Sequence, residues 1–150
     1  MSITLSASAL AARDDLALGM SSEYNVNNST IILKSGLSYH DQNSSFGIKR
    51  YSGKQFNSYS NLSLIQNWKS NQLEAGISYK SLHIDEEIQF GNSSNLSYDG
   101  NYLKNERVFG TFLEGKFKFY ENIEINTGLR NDYHNEFGNT LTPRVLFKYN

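Results

Sequence analysis

The stretch GLRNDYHNEFGNTLTPRVLFKYN, residues 128–150, decides the fold. Apolar or aromatic side chains occupy every second position from Leu141 to Tyr149, and mostly polar residues lie between them. A polar link, residues 135–140, separates this segment from an earlier one that alternates in the same way. Successive side chains of a β-strand point to opposite faces, so both segments are predicted strands with one apolar and one polar face.

The same alternation recurs along the chain and predicts seven strands of about ten to fourteen residues each. No segment has a convincing helical period. The clearest alternation lies at residues 16–21, 31–40, 60–68, 73–80, 109–119, 123–132 and 141–149. We therefore expect an all-β fold, an antiparallel up-and-down meander of about seven long strands.

Composition narrows the class of protein further. The chain has 150 residues, of which 38% are hydrophobic and 13% aromatic, so it has the size of one domain and too many aromatics for a disordered segment. The net charge of −1 gives no reason to expect nucleic acid as a partner. Cysteine is absent, which excludes disulfide scaffolds and thiolate metal sites. No catalytic motif occurs, so we expect neither enzymatic activity nor a cofactor.

The predicted links between strands alternate in length, which in a meander places short turns at one end and long loops at the other. This is the layout of transmembrane barrels. The short links are residues 25–30, 69–72 and 120–122, the long ones are 41–56 and 85–105, and residues 135–140 form an intermediate one.

Alternation alone does not separate a membrane barrel, with its apolar face toward lipid, from a soluble sandwich with that face inside. Strand length and aromatic residues near strand ends favour the barrel, because a tilted crossing takes about nine to eleven residues and barrels carry aromatic girdles. Two alternatives stay open: a soluble or secreted antiparallel β-sheet binding module, and a small eight-stranded outer-membrane barrel with residues 1–10 as its eighth strand.

The C-terminal motifs add a family resemblance. Residues 128–138, GLRNDYHNEFG, followed by Thr142-Pro143-Arg144 and then Tyr149, resemble the TonB-dependent outer-membrane receptors. Barrels of that family repeatedly show a G-L-R-x-D-x-H strand end, a short link with F/Y-G, and a T/S-P-R-x-x-x-x-Y strand. The match is strongest over residues 106–150 and nonspecific over residues 15–105.

The resemblance implies a 22-stranded barrel filled by an N-terminal plug, in the outer membrane of a Gram-negative bacterium. We recognise neither plug nor signal peptide in the sequence, and seven strands do not give the even number with which bacterial barrels close. Residues 15–150 are therefore expected to be a partial receptor barrel, an incomplete portion of a large one. Residues 1–14 are an uncertain leading segment or an extra strand.

The implied partners are the outer-membrane lipid, the rest of the barrel and its plug, and the TonB complex, which would act only through that plug. The implied ligand is a small-molecule metal chelate of the siderophore-iron, haem or cobalamin type. The piece alone is not expected to transport it.

Three groups of side chains are candidate sites. Arg130, Asp132 and Arg144 fall on the same predicted face, where they would form a lumen-facing polar network. Aromatic residues in the long loops are candidates for ligand contact: Phe46, Tyr51, Phe56, Phe90, Tyr98 and Tyr102. No metal site is expected, since the three histidines, weak candidates for metal binding, lie on separate strand pairs: His40, His83 and His134.

Overall fold

A computed structural model describes residues 1–12, 14–90, 100–120 and 122–149. These residues form one antiparallel sheet of eight strands in chain order, and none of them is helical. The strands are β1 Ser2–Ala12, β2 Asp15–Val26, β3 Ser29–Phe46, β4 Lys49–Trp68, β5 Asn71–Phe90, β6 Gly100–Tyr120, β7 Ile123–His134 and β8 Gly138–Tyr149.

Tight turns join several neighbouring strands. Asn27, Lys69 and Gly47 each have a positive φ, of 52°, 53° and 65°, which lets the chain reverse between two strands within two residues. We call the end of the sheet that carries the Gly47 turn the upper end. The links after β2 and β4 lie at the lower end, and the turn after β7 lies at the upper end.

The strand count differs from the predicted seven. The eighth strand is β1, which pairs along its whole length with β2, from Ser2 opposite Asn25 to Ala12 opposite Asp15. The described residues thus form an even number of strands, and the strand number does not prevent closure of a barrel. The sheet is nevertheless open, because β1 and β8 do not pair with each other in the described part of the chain.

The prediction of a long loop at residues 41–56 is also wrong, and the predicted loop at residues 85–105 is wrong at both of its ends, while residues 91–99 lie outside the described residues. Residues 41–46 and 49–56 continue β3 and β4, which pair up to Phe46 opposite Lys49. Residues 85–90 extend β5, and β6 begins at Gly100. Backbone hydrogen bonds hold these extensions, while both of their faces are too polar to show an apolar alternation. A prediction from apolar alternation therefore did not detect these strand extensions.

The sheet is a single layer. Among the described residues no hydrophobic side chain is buried, and only strands adjacent in sequence pair with each other. The polar face is the more sheltered of the two: Ser63 and Ser78 are each 3% exposed, whereas Leu64 on the apolar face is 48% exposed. Neighbouring side chains crowd together on the inside of a curved sheet, so the polar face is the concave one.

Candidate functional site

One face of the sheet carries most of its large apolar side chains. We call them the apolar band, and the cross-strand register places them on a common face. Its members in β2 to β8 are Leu16, Leu18, Met20, Tyr24, Val26, Ile31, Leu33, Leu37, Tyr39, Phe56, Leu62, Leu64, Trp68, Leu73, Ala75, Ile77, Tyr79, Phe109, Leu113, Phe117, Phe119, Ile123, Ile125, Leu129, Tyr133, Leu141, Pro143, Val145, Phe147 and Tyr149.

The apolar band crosses the strands obliquely. Its upper edge lies at Leu16 in β2 and at Leu141 in β8. Residues that face each other across neighbouring strands form a row that runs across the sheet. The row that contains Leu141 of β8 contains Ser22 of β2. Positions 16 and 22 differ by six residues, roughly 20 Å along a strand, while six strand spacings cover roughly 29 Å across the sheet. The band therefore makes an angle of about 35° with the rows, close to the strand tilt of transmembrane barrels.

The apolar side chains change faces toward the upper end. In β5, Tyr79 is the last member of the apolar band, and Leu82 and Ile84 lie on the opposite face. In β6 the change falls between Phe109 and Val108. We call the level at which this change of faces occurs the switch. Above the switch, the face that carries the apolar band becomes charged, with Lys54 opposite Asp85.

Arg130 is the centre of a polar network on the concave face. Its Nε donates to Asp132 Oδ1 at 3.0 Å and Oδ2 at 2.8 Å, and a terminal nitrogen donates to Ser78 Oγ at 2.8 Å. The guanidinium carbon lies 5.9 Å from the centroid of the Phe112 ring. A Cβ at Gly110 would meet the Asp132 carboxylate, the Arg130 guanidinium and the Ser78 hydroxyl, so these side chains can approach one another this closely because residue 110 is a glycine.

Arg144 shares that face but lies outside the network. It pairs with Gly128 across β7 and β8, while Arg130 pairs with Thr142. It makes no ion pair with any residue that the structure describes. The structure thus brings Arg130 and Asp132 together and adds Ser78, 52 residues away in the chain. Only the register of β5 against β6 and β7 reveals that third member.

The aromatic ligand candidates do not form one cluster. Phe46, Tyr51, Phe56 and Tyr102 lie on strands, which corrects their placement in loops. Phe56 belongs to the face of the apolar band, and the other three to the concave face. Tyr51 donates from its hydroxyl to Glu86 Oε1 at 2.7 Å, and this bond, together with desolvation, raises the pKa of the phenol.

Two further candidates fall at the margin of the described chain. Phe90 ends β5 at the upper end of the sheet, opposite Lys49. Tyr98 lies outside the described residues.

The three histidines lie on three different strands, β3, β5 and β7, and not all on the same face. His40 contacts Asp15 on the concave face, and this hydrogen bond raises the pKa of the imidazole. His83 lies on the opposite face, and His134 packs against Phe137 with ring centroids 4.6 Å apart. Within the described residues no group of three or more potential ligands could hold a metal ion.

A groove on the concave face was not predicted from the sequence. It has a volume of about 490 Å³ and lies at the level of the switch. Two adjacent rows supply its side-chain walls: Gly36, Tyr59, Lys80 and Val108 in one, and Ser38, Asn57, Leu82 and Glu106 in the other. Leu82 occupies a position of β5 at which the alternating pattern predicts a polar residue. This was the one signal in the sequence that could have indicated the groove.

None of the described residues belongs to a helix that is long and apolar enough to cross a membrane. Comparison with known proteins adds no assignment: no protein-family model matches the chain, and no curated protein does.

Proposed function

We propose that the chain is part of the β-barrel of a TonB-dependent receptor in the outer membrane of a Gram-negative bacterium. The observation that carries this proposal is the apolar band, which lies uncovered on one face and runs obliquely to the strand rows. The receptor family itself rests on the resemblance of residues 106–150.

Lipid is the cover that fits the apolar band best. A soluble monomer rarely exposes a contiguous apolar patch of more than a few hundred Å², and this band extends over seven strands. The band spans residues 31–39 in β3 and 141–149 in β8, nine residues in each case. That length matches the nine to eleven residues of a tilted membrane-crossing strand.

The concave face suits the lumen of such a barrel. Arg130 and Asp132 are partly exposed charges that a watery interior would solvate, and lipid would not. In the proposed receptor this face would surround the plug, and the TonB complex would act on that plug. The transported ligand would be a small-molecule metal chelate of the siderophore-iron, haem or cobalamin type.

The eight strands also favour a second candidate, a small outer-membrane barrel closed between β1 and β8. Eight is the smallest number with which bacterial barrels close, but the sheet is open. The third alternative, a soluble sheet module, needs a layer over the apolar band, and the described residues supply none.

Refolding the purified chain with phospholipid vesicles tests the membrane assignment. We expect the chain to float with the vesicles in a density gradient, and to resist extraction by alkaline carbonate. In buffer without lipid or detergent we expect self-association. The proposal would be contradicted if the chain formed a compact, cooperatively unfolding monomer in plain buffer and did not bind to vesicles.

The receptor assignment needs a separate test. The DNA on both sides of the coding region should continue the barrel, with a plug-coding segment upstream. A complete small barrel would instead migrate as a monomer whose electrophoretic mobility changes on heating. Flanking DNA without any barrel-like reading frame would contradict the receptor.

A further inference from the structure

We propose that the groove at the level of the switch binds a small organic anion with an apolar body, placing its anionic group at Lys80. This inference rests on the proposed function, since in the proposed barrel the concave face lines a water-filled lumen and the groove is open to solvent. It names a chemical class of ligand for that lumen.

The groove is built by the register of four strands. Gly36 of β3, Tyr59 of β4, Lys80 of β5 and Val108 of β6 occupy one row. The next row toward the upper end contains Leu82. Side chains of these two rows form the walls, and the backbone between the rows forms the floor. Because Gly36 has no side chain, the groove stays open toward β3.

The size of the groove matches a small molecule. Its volume of about 490 Å³ falls in the range of about 300–1,000 Å³ that is common for small-ligand sites. The Leu82 and Val108 side chains are apolar, and Tyr59 adds an aromatic ring. This wall can cover a flat hydrocarbon or aromatic body, which would displace water from apolar surface.

Lys80 sets the charge that the groove prefers. Its Nζ lies 5.8 Å from the centroid of the Tyr59 ring, and it forms no ion pair in the part of the sheet that the structure describes. Glu106 lies in the same groove, but its Oε1 is 2.7 Å from Lys104 Nζ. The carboxylate is therefore neutralised, while the Lys80 ammonium remains available to an anion.

Two polar side chains of the walls, Asn57 and Ser38, already bond to each other. Asn57 Nδ2 donates to Ser38 Oγ at 2.9 Å. A ligand that relied on many hydrogen bonds, such as a neutral sugar, would have to break this pair. An apolar body with one anionic group needs only Lys80 and the apolar wall.

Three naphthalene probes of the same shape test the inference: 2-naphthoate, the neutral 2-naphthalenemethanol and the cationic 2-naphthylmethylamine. The full chain is reconstituted in vesicles, and binding is measured by equilibrium dialysis against protein-free vesicles. We expect saturable binding of the anion, about tenfold tighter than binding of the alcohol, since a charge-assisted contact supports a preference of that order. The cation should bind most weakly.

Two variants locate the site. Lys80→Met should weaken binding of 2-naphthoate about tenfold and leave the alcohol unchanged. Lys118→Met is the matched control, because Lys118 lies on the same face at the lower end of β6. It should leave binding of all three probes unchanged. Leu82→Asn should weaken the binding of both 2-naphthoate and the alcohol, since it replaces an apolar side chain of the groove wall with a polar one.

The outcomes separate the two proposals. If the chain floats with vesicles but Lys80→Met binds 2-naphthoate as tightly as the unmodified chain does, the groove assignment is wrong and the membrane assignment stands. Absence of saturable naphthoate binding by the floated chain has the same meaning. A chain that does not associate with vesicles contradicts both proposals.

Discussion

At the scale of single residues, Arg130 shows how the concave face is held together. Its partners come from β5, β6 and β7, and the ion pair with Asp132 has side chains that are 35% and 27% exposed. A pair this open to solvent is worth less than a buried one, because water screens the charges. The ion pair lies within β7, whereas the contacts of Arg130 with Ser78 and Phe112 cross to other strands, so the pair contributes only modestly, by orienting the Arg130 side chain.

We predict that Asp132→Asn lowers the free energy of unfolding of the lipid-refolded chain by about 0.5–1 kcal/mol. Arg144→Gln serves as the control, since Arg144 lies on the same face without an ion pair among the described residues, and it should change stability by less than about 0.5 kcal/mol. Urea titration of the vesicle-bound chain measures both. Equal losses would mean that the pair does not stabilise the sheet.

His40 gives a prediction on pH dependence. The hydrogen bond to the Asp15 carboxylate raises the pKa of His40 above its usual 6.5, so the protonated form stabilises the folded chain. This contribution is fully present below pH 6.5 and is lost as pH rises through the raised pKa. Asp15→Asn should lower the pKa of His40 toward its usual value, as a proton-detected NMR titration would show.

A stability profile checks the same coupling independently. Between unmodified chain and Asp15→Asn, the difference in stability should shrink as the pH is raised from 6 to alkaline values. His40→Gln should remove that trend. A difference that stays constant across this range would contradict the assignment.

Residue-level geometry was only partly readable from the sequence. The spacing of Arg130 and Asp132 placed them on one face, and alternation is enough for that. Ser78 and the Lys80–Tyr59 contact depend on which residue of one strand faces which residue of the next. Register is a long-range property, so alternation within a strand does not reveal it.

At the scale of elements, β4 illustrates how one strand serves two environments. Its lower half carries Leu62, Leu64 and Trp68 of the apolar band, while Asn61 and Ser63 point to the concave face. Its upper half is polar on both faces apart from Tyr51, Phe56 and Tyr59. The sequence predicted the lower half as a strand and missed the upper half, because backbone pairing does not require apolar side chains.

Adjacent positions of β4 give a matched test of the two faces. Leu62→Arg places a charge within the apolar band, and we predict a loss of folding free energy of about 2–4 kcal/mol in vesicles. Asn61→Arg places the same charge on the concave face and should cost far less, within about 1 kcal/mol. The measurement is urea-dependent unfolding in lipid.

The contrast between these two neighbours is the informative quantity. If both substitutions destabilised the chain equally, or if Asn61→Arg were the worse of the two, the faces would be assigned the wrong way round. The composition of the vesicles should be kept identical for both variants.

At the scale of the whole molecule, the described part of the chain has no buried apolar core. Domains are stabilised by burying apolar surface between layers, and the described residues form only one layer. The class of fold followed from alternation alone. The strand count and the extended hairpins did not, since β1 is rich in serine and alanine and the upper halves are polar on both faces.

The most direct measurement uses Trp68, the one tryptophan of the chain. It lies in the apolar band at the lower end of β4, with its ring edge-on to Phe117 at 6.3 Å. In vesicles we predict blue-shifted emission, strong quenching by lipids brominated near the headgroup, weaker quenching by deeper bromines, and little quenching by aqueous iodide. Water-like emission that iodide quenches and brominated lipid does not would contradict the claim that the apolar band contacts lipid.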